Sequence, residues 1–177
     1  MSLDFVSKKL VTNQLVLTIG YDIDNLINPS ISNKYKGEIT TDHYGRKIPK
    51  HAHGTINIDH YTSSSKVIIE KMLELYKNIV NSDLLIRRVN IVANNVIDEK
   101  KANDKPQYQQ FDLFTNYQEL EEKNKKQKQD EKEENKLQNV LLSIKQRYGK
   151  NAILKGMNLE EGGTAIDRNG QIGGHKG

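Results

Sequence analysis

The stretch QLVLTIGY, residues 14–21, decides the fold class because its side chains alternate in character. A period of two is typical of a strand that is buried on one face. Val16 and Thr18 would lie on the face away from the core. Such a strand needs a second layer to cover its apolar face. Four side chains would form that apolar face: Leu15, Leu17, Ile19 and Tyr21.

Two further strands and a helix are predicted within the next eighty residues. Residues 54–61 alternate again and give a second strand, and residues 84–97 give a long third strand. Between them, residues 65–80 repeat apolar side chains at helical spacing, after a run of hydroxyl side chains that suits a helix N-terminus. The pattern predicts an α+β domain in which a layer of antiparallel strands is covered by a helix. In the third strand one face is apolar and the other is polar: Leu85, Val89, Ile91 and Ala93 against Arg88, Asn90 and Asn94.

Two segments in the first half of the chain connect or precede these elements. Residues 4–10 predict a short helix. Residues 24–53 are rich in Asn, Pro, Gly and Lys, and they predict a long excursion with a short hairpin around Tyr44-Gly45-Arg46. An excursion of this length is a candidate functional loop.

The second half of the chain is polar and less regular. Residues 119–136 are almost wholly charged or amide-bearing, which predicts either a solvated helix held by i,i+4 ion pairs or disorder. Residues 137–144 then predict a short amphipathic helix that ends near Tyr148-Gly149, with little regular structure after it. We therefore divide the chain into a folded domain, a linker and a tail: residues 1–98, 99–118 and 119–177.

Composition supports this division. Hydrophobic residues make up 35% of the 177 residues and charged residues 28%, with a mean hydropathy of −0.75, so part of the chain buries too little apolar surface to fold alone. The net charge of +4 and the pI near 9.0 suit a nucleic-acid partner. The absence of cysteine, of a signal peptide and of a long apolar run favours a cytoplasmic location.

The most specific short motif lies between the predicted linker and the tail. Gln110-Phe111-Asp112-Leu113-Phe114 places large apolar side chains in a polar setting, where they gain little unless a partner pocket accepts them. A leading Gln and a terminal Leu-Phe pair resemble the sliding-clamp-binding motif of bacterial DNA polymerases. Phe111 departs from the commonest pattern, which has Leu there. The alternative is a hydrophobic tether that packs back on its own domain.

Nearly the whole chain resembles the C-terminal region of bacterial Y-family translesion DNA polymerases, the UmuC-like group that includes ImpB, MucB and SamB. The resemblance rests on five segments in order: Leu17-Thr18-Ile19-Gly20-Tyr21, Arg87-Arg88-Val89-Asn90-Ile91, the clamp motif, Tyr148-Gly149-Lys150-Asn151-Ala152-Ile153-Leu154, and Gln171-Ile172-Gly173-Gly174-His175-Lys176. It implies a little-finger domain of β-α-β-β-α-β topology that lies in the DNA major groove and holds phosphates of both strands. It therefore implies DNA repair by translesion synthesis, with primer-template DNA and the sliding clamp as partners.

A lesion-bypassing enzyme must hold DNA without reading bases, and phosphate contacts do this. For any single Arg on a strand, the alternative is a solvated charge or one that protects a sheet edge. Eight residues are the candidate DNA ligands: Lys34, Lys36, Arg46, Lys47, Lys50, Arg87, Arg88 and Asn90.

No catalytic centre is expected in this chain. Polymerase chemistry needs acidic residues that converge on two metal ions, and the resemblance places those residues, with their Mg²⁺, in an upstream palm domain. His51 and His53 have a spacing that can chelate a metal, but no Cys or tight carboxylate set completes a four-ligand site. We therefore predict no metal and no cofactor, and no polymerase activity of the chain alone.

Two other function classes stay open. An RNA-binding α+β module would stack bases on exposed aromatic side chains of the sheet, for which Tyr21 and Tyr61 are the candidates. A non-enzymatic adaptor would bind the clamp through residues 110–114 and another partner through its tail.

The resemblance also implies that a first strand and most of a first helix are missing before residue 14. If the sheet follows the ferredoxin-like order, the missing strand is a central one, and its loss leaves open edges and an uncovered apolar face. We expect either self-association or a rearranged monomer in which residues 84–97 pair directly beside one of the two remaining strands, with the tail helix over the gap.

Overall fold

The structure, a computed structural model, describes residues 1–103 and 117–171. They belong to two compact units, one formed by residues 9–103 and the other by residues 3–8 with residues 117–171. No helix in these described ranges is long and apolar enough to cross a membrane. The elements along the chain are α1 (Ser2–Lys8), β1 (Leu10–Tyr21), α2 (Asp24–Ile27), α3 (Pro29–Ser32), β2 (Ile39–Thr41), β3 (Lys47–Pro49), β4 (Ala52–Thr62), α4 (Ser65–Ile79), β5 (Ile86–Asn94), β6 (Ile97–Asp98), α5 (Glu99–Asn103), α6 (Tyr117–Tyr148), a 3-10 turn (Gly156–Leu159) and α7 (Ala165–Asn169).

The main sheet is built around β1, which pairs antiparallel with β4 on one side and with β5 on the other. β6 continues along the same side of β1 as β5, where Val11 lies opposite Ile97. The break between β5 and β6 falls at Asn95, whose φ of 51° is left-handed. The third strand predicted for residues 84–97 is therefore divided into β5 and β6. The chain turns at Asn95, and pairing with β1 resumes at Ile97.

One face of the sheet carries the core. The four side chains predicted to face inward along β1 are all buried, and α4 covers them through Ile68, Met72 and Leu75. The α+β class with a covering helix is thus confirmed. The Ser64 hydroxyl accepts a hydrogen bond from the Val67 N–H at 3.2 Å, as expected of an N-cap.

Gly54 lets α4 approach the sheet closely. A Cβ placed on Gly54 would lie 2.9 Å from Cδ1 of Leu75 and 3.0 Å from Cγ2 of Ile79. The helix therefore lies tight against β4, the strand on which Gly54 sits.

The strand order is β4-β1-β5, so the third predicted strand lies directly beside the first. This strand order matches the pairing expected of the rearranged monomer, in which residues 84–97 lie directly beside one of the two other strands. It does not match a ferredoxin-like order in which a central strand is missing. Since β4 and β5 run parallel with β1 between them, α4 is the crossover that joins them.

The long excursion between β1 and β4 is ordered. α2 and α3 follow β1, and β2 pairs with β3 to form the predicted hairpin, in which Gly45 has a left-handed φ of 77°. Asn25 of α2 is fully buried and fixes the start of the excursion. Its side-chain amide donates to the carbonyls of Asp22 and Leu85, each at 2.9 Å, and its carbonyl accepts from the Leu85 N–H at 2.7 Å.

In the other unit, α6 is one continuous helix of 32 residues. This helix joins the charged segment and the apolar segment, which the sequence predicts as separate pieces. The two segments are continuous because residues 117–148 contain no Gly or Pro and are rich in Glu, Gln and Lys, which favour helix. Side-chain pairs one turn apart support it, such as Lys125 with Glu121 at 2.8 Å. The helix ends at Tyr148, as predicted, and Gly149 follows with a φ of 94°. The predicted linker is also partly helical, since α5 occupies Glu99–Asn103.

Candidate nucleic-acid interface

The face of the main sheet opposite α4 is polar, and its two outer strands carry exposed side chains. The strand registers align positions of even number on β1 and β5 with positions of odd number on β4. All of the β4 and β5 side chains on this face are exposed. The face consists of Gln14, Val16, Thr18 and Gly20 on β1, His53, Thr55 and Asn57 on β4, and Arg88, Asn90, Val92 and Asn94 on β5.

Hydrogen bonds between neighbouring strands hold this polar face in shape. The Gln14 amide donates to the Asn57 side-chain oxygen at 2.9 Å, and the Gln14 oxygen accepts from the Asn94 amide at 3.1 Å. Thr18 Oγ1 lies 2.9 Å from Nδ1 of His53. Such cross-strand pairs limit side-chain motion, so the face presents its remaining donors and acceptors from fixed positions.

Arg88 is the cation of this face, and its neighbour on β1 is Gly20. A Cβ on Gly20 would lie 3.7 Å from the Cβ of Arg88, so the guanidinium meets no side chain across the strand pair. Asn90 follows two positions along β5, opposite Thr18. Arg88 and Asn90 are thus brought together, as predicted, on a face that suits backbone phosphates.

Arg87 does not share this face. The register between β1 and β5 shifts between Gly20 and Tyr21, which leaves Arg87 in a bulge. Its guanidinium lies 4.0 Å from the Asp22 carboxylate, so this predicted DNA ligand is directed to an acid of its own chain.

The hairpin holds Arg46 in the same way. Asp42 accepts hydrogen bonds from the backbone N–H groups of Tyr44 and Arg46, both at 2.9 Å, and its carboxylate binds the Arg46 guanidinium at 2.7 Å. The Arg46 side chain, then its backbone N–H, lower the pKa of Asp42, and Asp42 raises the pKa of Arg46 in return. The guanidinium also lies over the exposed Tyr44 ring, 5.2 Å from its centre. Arg46 therefore stabilises the hairpin, whereas Lys47 beside it is exposed on β3.

Lys34 and Lys36 lie apart from the sheet face, on a cleft after α3. The cleft has a volume of about 520 Å³ and is also lined by Tyr35, Asn81 and Asp83. Partial burial raises the pKa of the Tyr35 hydroxyl, which donates to the Glu38 carbonyl at 2.8 Å. The Glu38 carboxylate pairs with Lys50 at 2.7 Å.

The structure therefore divides the eight predicted DNA ligands by their partners. Arg46, Lys50 and Arg87 each face a carboxylate of the same chain. Within residues 1–103, no acidic partner contacts the other four cations: Lys34, Lys36, Lys47 and Arg88. Unpaired cations release more counterions from DNA than paired ones, so these four are the stronger candidates.

Other predicted sites have different outcomes. The clamp motif Gln110–Phe114, with Phe111, Asp112 and Leu113 between, lies outside the described residues. His51 and His53 lie with ring centres 6.4 Å apart, and the described part of the chain holds no group of three side chains that could bind a metal. Tyr21 is buried, and its hydroxyl accepts from the Asn81 N–H at 3.0 Å, so its assignment as a base-stacking residue is wrong.

Sequence reasoning missed two features of this region. The polar ladder of Gln14, Asn57 and Asn94 was not singled out, although alternation already places these residues on one face of their strands. Asn25 had no signal at all, because an Asn after a strand is typical of any turn.

No protein-family model, curated protein or solved structure matches this chain.

Proposed function

We propose that this chain is the DNA-holding accessory region of a translesion DNA polymerase, with residues 110–114 as its tether to the sliding clamp. The observation that carries the proposal is the uncovered polar face of the main sheet, with Arg88 at one end and a ladder of amide and hydroxyl groups along it. Fixed donors of this kind suit the sugar-phosphate backbone of any sequence. A polymerase that passes damaged bases needs contacts of this type.

The composition of the face favours DNA backbone over single-stranded RNA. RNA-binding sheets stack two or three bases on aromatic side chains. Over its paired positions this face carries no Phe, Tyr or Trp. Of the two candidate stacking residues of the RNA-binding alternative, Tyr21 lies in the core and Tyr61 is partly buried on β4.

Charge reversal on the full chain tests the DNA face. One of the four unpaired cations, Arg88, lies on the polar face, and Lys34, Lys36 and Lys47 lie on the excursion between β1 and β4. With all four at phosphates, the slope of log affinity against log salt is about −3 to −4, and each lost contact lowers the magnitude of that slope by about one. We expect Arg88→Glu and Lys47→Glu each to weaken binding to duplex DNA by roughly tenfold, equally for unrelated sequences. Fluorescence anisotropy over a salt series measures both quantities.

Lys77→Glu is the matched control, because Lys77 is exposed on α4, the layer on the opposite side of the sheet. It changes the net charge by the same amount but leaves the polar face intact. If all three reversals weaken binding equally, the DNA responds to net charge and the proposed face is wrong. If the wild-type chain binds the clamp and no DNA, the adaptor function replaces the polymerase accessory.

The clamp tether is tested with a peptide of residues 107–117. We expect micromolar binding to a bacterial sliding clamp, about −8 kcal/mol. Leu113→Ala with Phe114→Ala should abolish the binding, because both apolar anchors are lost, whereas Thr115→Ala just outside the motif should leave it unchanged. Unaltered calorimetric titration of the double variant would remove the tether from the proposal.

A further inference from the structure

We propose that the outer edge of β5 and the apolar surface beside it dock a second copy of this chain. β5 is an edge strand, since β1 pairs with one of its sides and no strand in residues 1–103 or 117–171 pairs with the other. Eight of its nine residues are exposed. An edge strand of this length with open backbone groups is a template for pairing with another strand.

The apolar side of β5 is left uncovered by its own helix. Val89 lies opposite Ile19 and Ile91 opposite Leu17, so both share the core face of the sheet. Their partners on β1 are buried, yet Val89 is 53% exposed and Ile91 is 47% exposed. The helix covers β4 and β1 and stops short of β5.

α4 carries a second apolar stripe that points toward this gap. Ile69, Leu73 and Tyr76 repeat at helical spacing, about a quarter turn from the core stripe, and all three are exposed. A right-handed crossover from β4 to β5 turns this stripe toward β5. The contact of Leu75 with Gly54 of β4 agrees, because Leu75 lies on the side of the core stripe that is turned away from Ile69, Leu73 and Tyr76.

The edge is self-complementary, as a symmetric pair requires. A two-fold axis at Asn90 pairs two β5 strands antiparallel and sets Val89 of each copy opposite Ile91 of the other. Arg88 then meets Val92 and not a second Arg88. The two α4 stripes then line opposite sides of one apolar groove above the paired β5 strands, in a sheet that is six strands wide.

The surface is large enough for a specific contact. Its six apolar side chains are each 37–53% exposed: Ile69, Leu73, Tyr76, Ile86, Val89 and Ile91. Together they offer on the order of 500 Å² per copy, so about 1,000 Å² is the upper limit of the apolar area that a symmetric pair buries, near the lower limit for specific interfaces, and the paired backbone adds to it. For a contact of this small size we expect weak association, in the micromolar range.

Light scattering on the full chain tests the proposal. At about 100 μM, well above a micromolar dissociation constant, we expect a mass twice the 20.3 kDa of one chain. Val89→Glu should return the mass to that of one chain, because two carboxylates would enter the apolar contact. Val92→Glu is the matched control, because Val92 is 51% exposed on the same strand but lies on the polar face, where a Glu would meet Arg88 of the other copy and the dimer should persist.

Several results would overturn the proposal. One is a wild-type mass equal to that of a single chain at this concentration. Another is that Val89→Glu and Val92→Glu dissociate the dimer to the same extent. Circular dichroism verifies that each variant is folded, and Leu73→Glu on α4 gives a second way to disrupt the contact without touching the strand. Hydrogen exchange should show protection of β5 amides that rises with concentration, and protection independent of concentration would assign the edge to a contact within one chain.

This proposal does not depend on the proposed function, because the apolar contact lies on the core side of the sheet, while Arg88 and Asn90 stay on the polar side when the two β5 strands pair. A monomeric Val89→Glu variant that still binds DNA leaves the proposed function intact. A dimer that binds no DNA leaves the docking surface intact.

Discussion

Replacing Asn25 with Ala should destabilise the sheet unit more than any other single polar substitution in the excursion. Asn25 is fully buried, and its side chain joins the end of β1 to the start of β5 through three hydrogen bonds. In the variant, the Leu85 N–H would lose its acceptor, the fully buried Asn25 side-chain oxygen at 2.7 Å. The Leu85 carbonyl would keep its bond from the Asp22 N–H at 2.9 Å, so its loss is partial.

The magnitude follows from these contacts. One orphaned buried donor costs about 1–3 kcal/mol, and the weakened carbonyls add up to about 1 kcal/mol more. We expect a loss of roughly 2–4 kcal/mol in the free energy of unfolding. For a unit of this size that lowers Tm by roughly 10–20 °C.

Urea unfolding followed by circular dichroism measures the change. Asn28→Ala is the matched control, since Asn28 is exposed and its side-chain oxygen accepts only local bonds at the start of the short helix α3, from the Ser30 N–H at 3.0 Å and the Ser30 hydroxyl at 2.8 Å. It should cost about 1 kcal/mol or less. If Asn25→Ala lies within about 0.5 kcal/mol of wild type, the hydrogen bonds at the strand ends do not stabilise the sheet and the reasoning fails.

Two further changes test the packing and the hairpin. Gly54→Val should cost about 1–3 kcal/mol by chemical unfolding, because its branches would push Leu75 and α4 off the sheet, while Thr55→Val on the polar face should change stability little. The hairpin contact between Asp42 and Arg46 should persist from neutral pH down to about pH 4, and it should be lost only as the pH falls through the lowered pKa of Asp42. The reason is that a carboxyl group whose pKa is lower in the folded state stabilises the fold at every pH above its unfolded pKa. NMR titration of the hairpin amides follows this loss, and a transition above pH 5 would contradict it; Asp42→Asn should shift the same amides at neutral pH.

Local patterns in the sequence were sufficient for the elements and for their faces. Alternation along residues 14–21 placed Leu15 and Ile19 inward, because a strand sends successive side chains to opposite sides regardless of its neighbours. The N-cap at Ser64 and the end of α6 before Gly149 are also local, since they depend on backbone groups within one helical turn. The same alternation placed Arg88 and Asn90 together on the polar face.

The tertiary structure alone decided which elements meet and which charges are neutralised. Pairing of β5 directly beside β1 depends on contacts about seventy residues apart, which no local pattern encodes, and it left Val89 and Ile91 uncovered. The bulge that sends Arg87 to Asp22 follows from that pairing. Charge and burial are properties of the folded neighbourhood, so the sequence identified the basic residues while the fold determined which of them remain open to a partner.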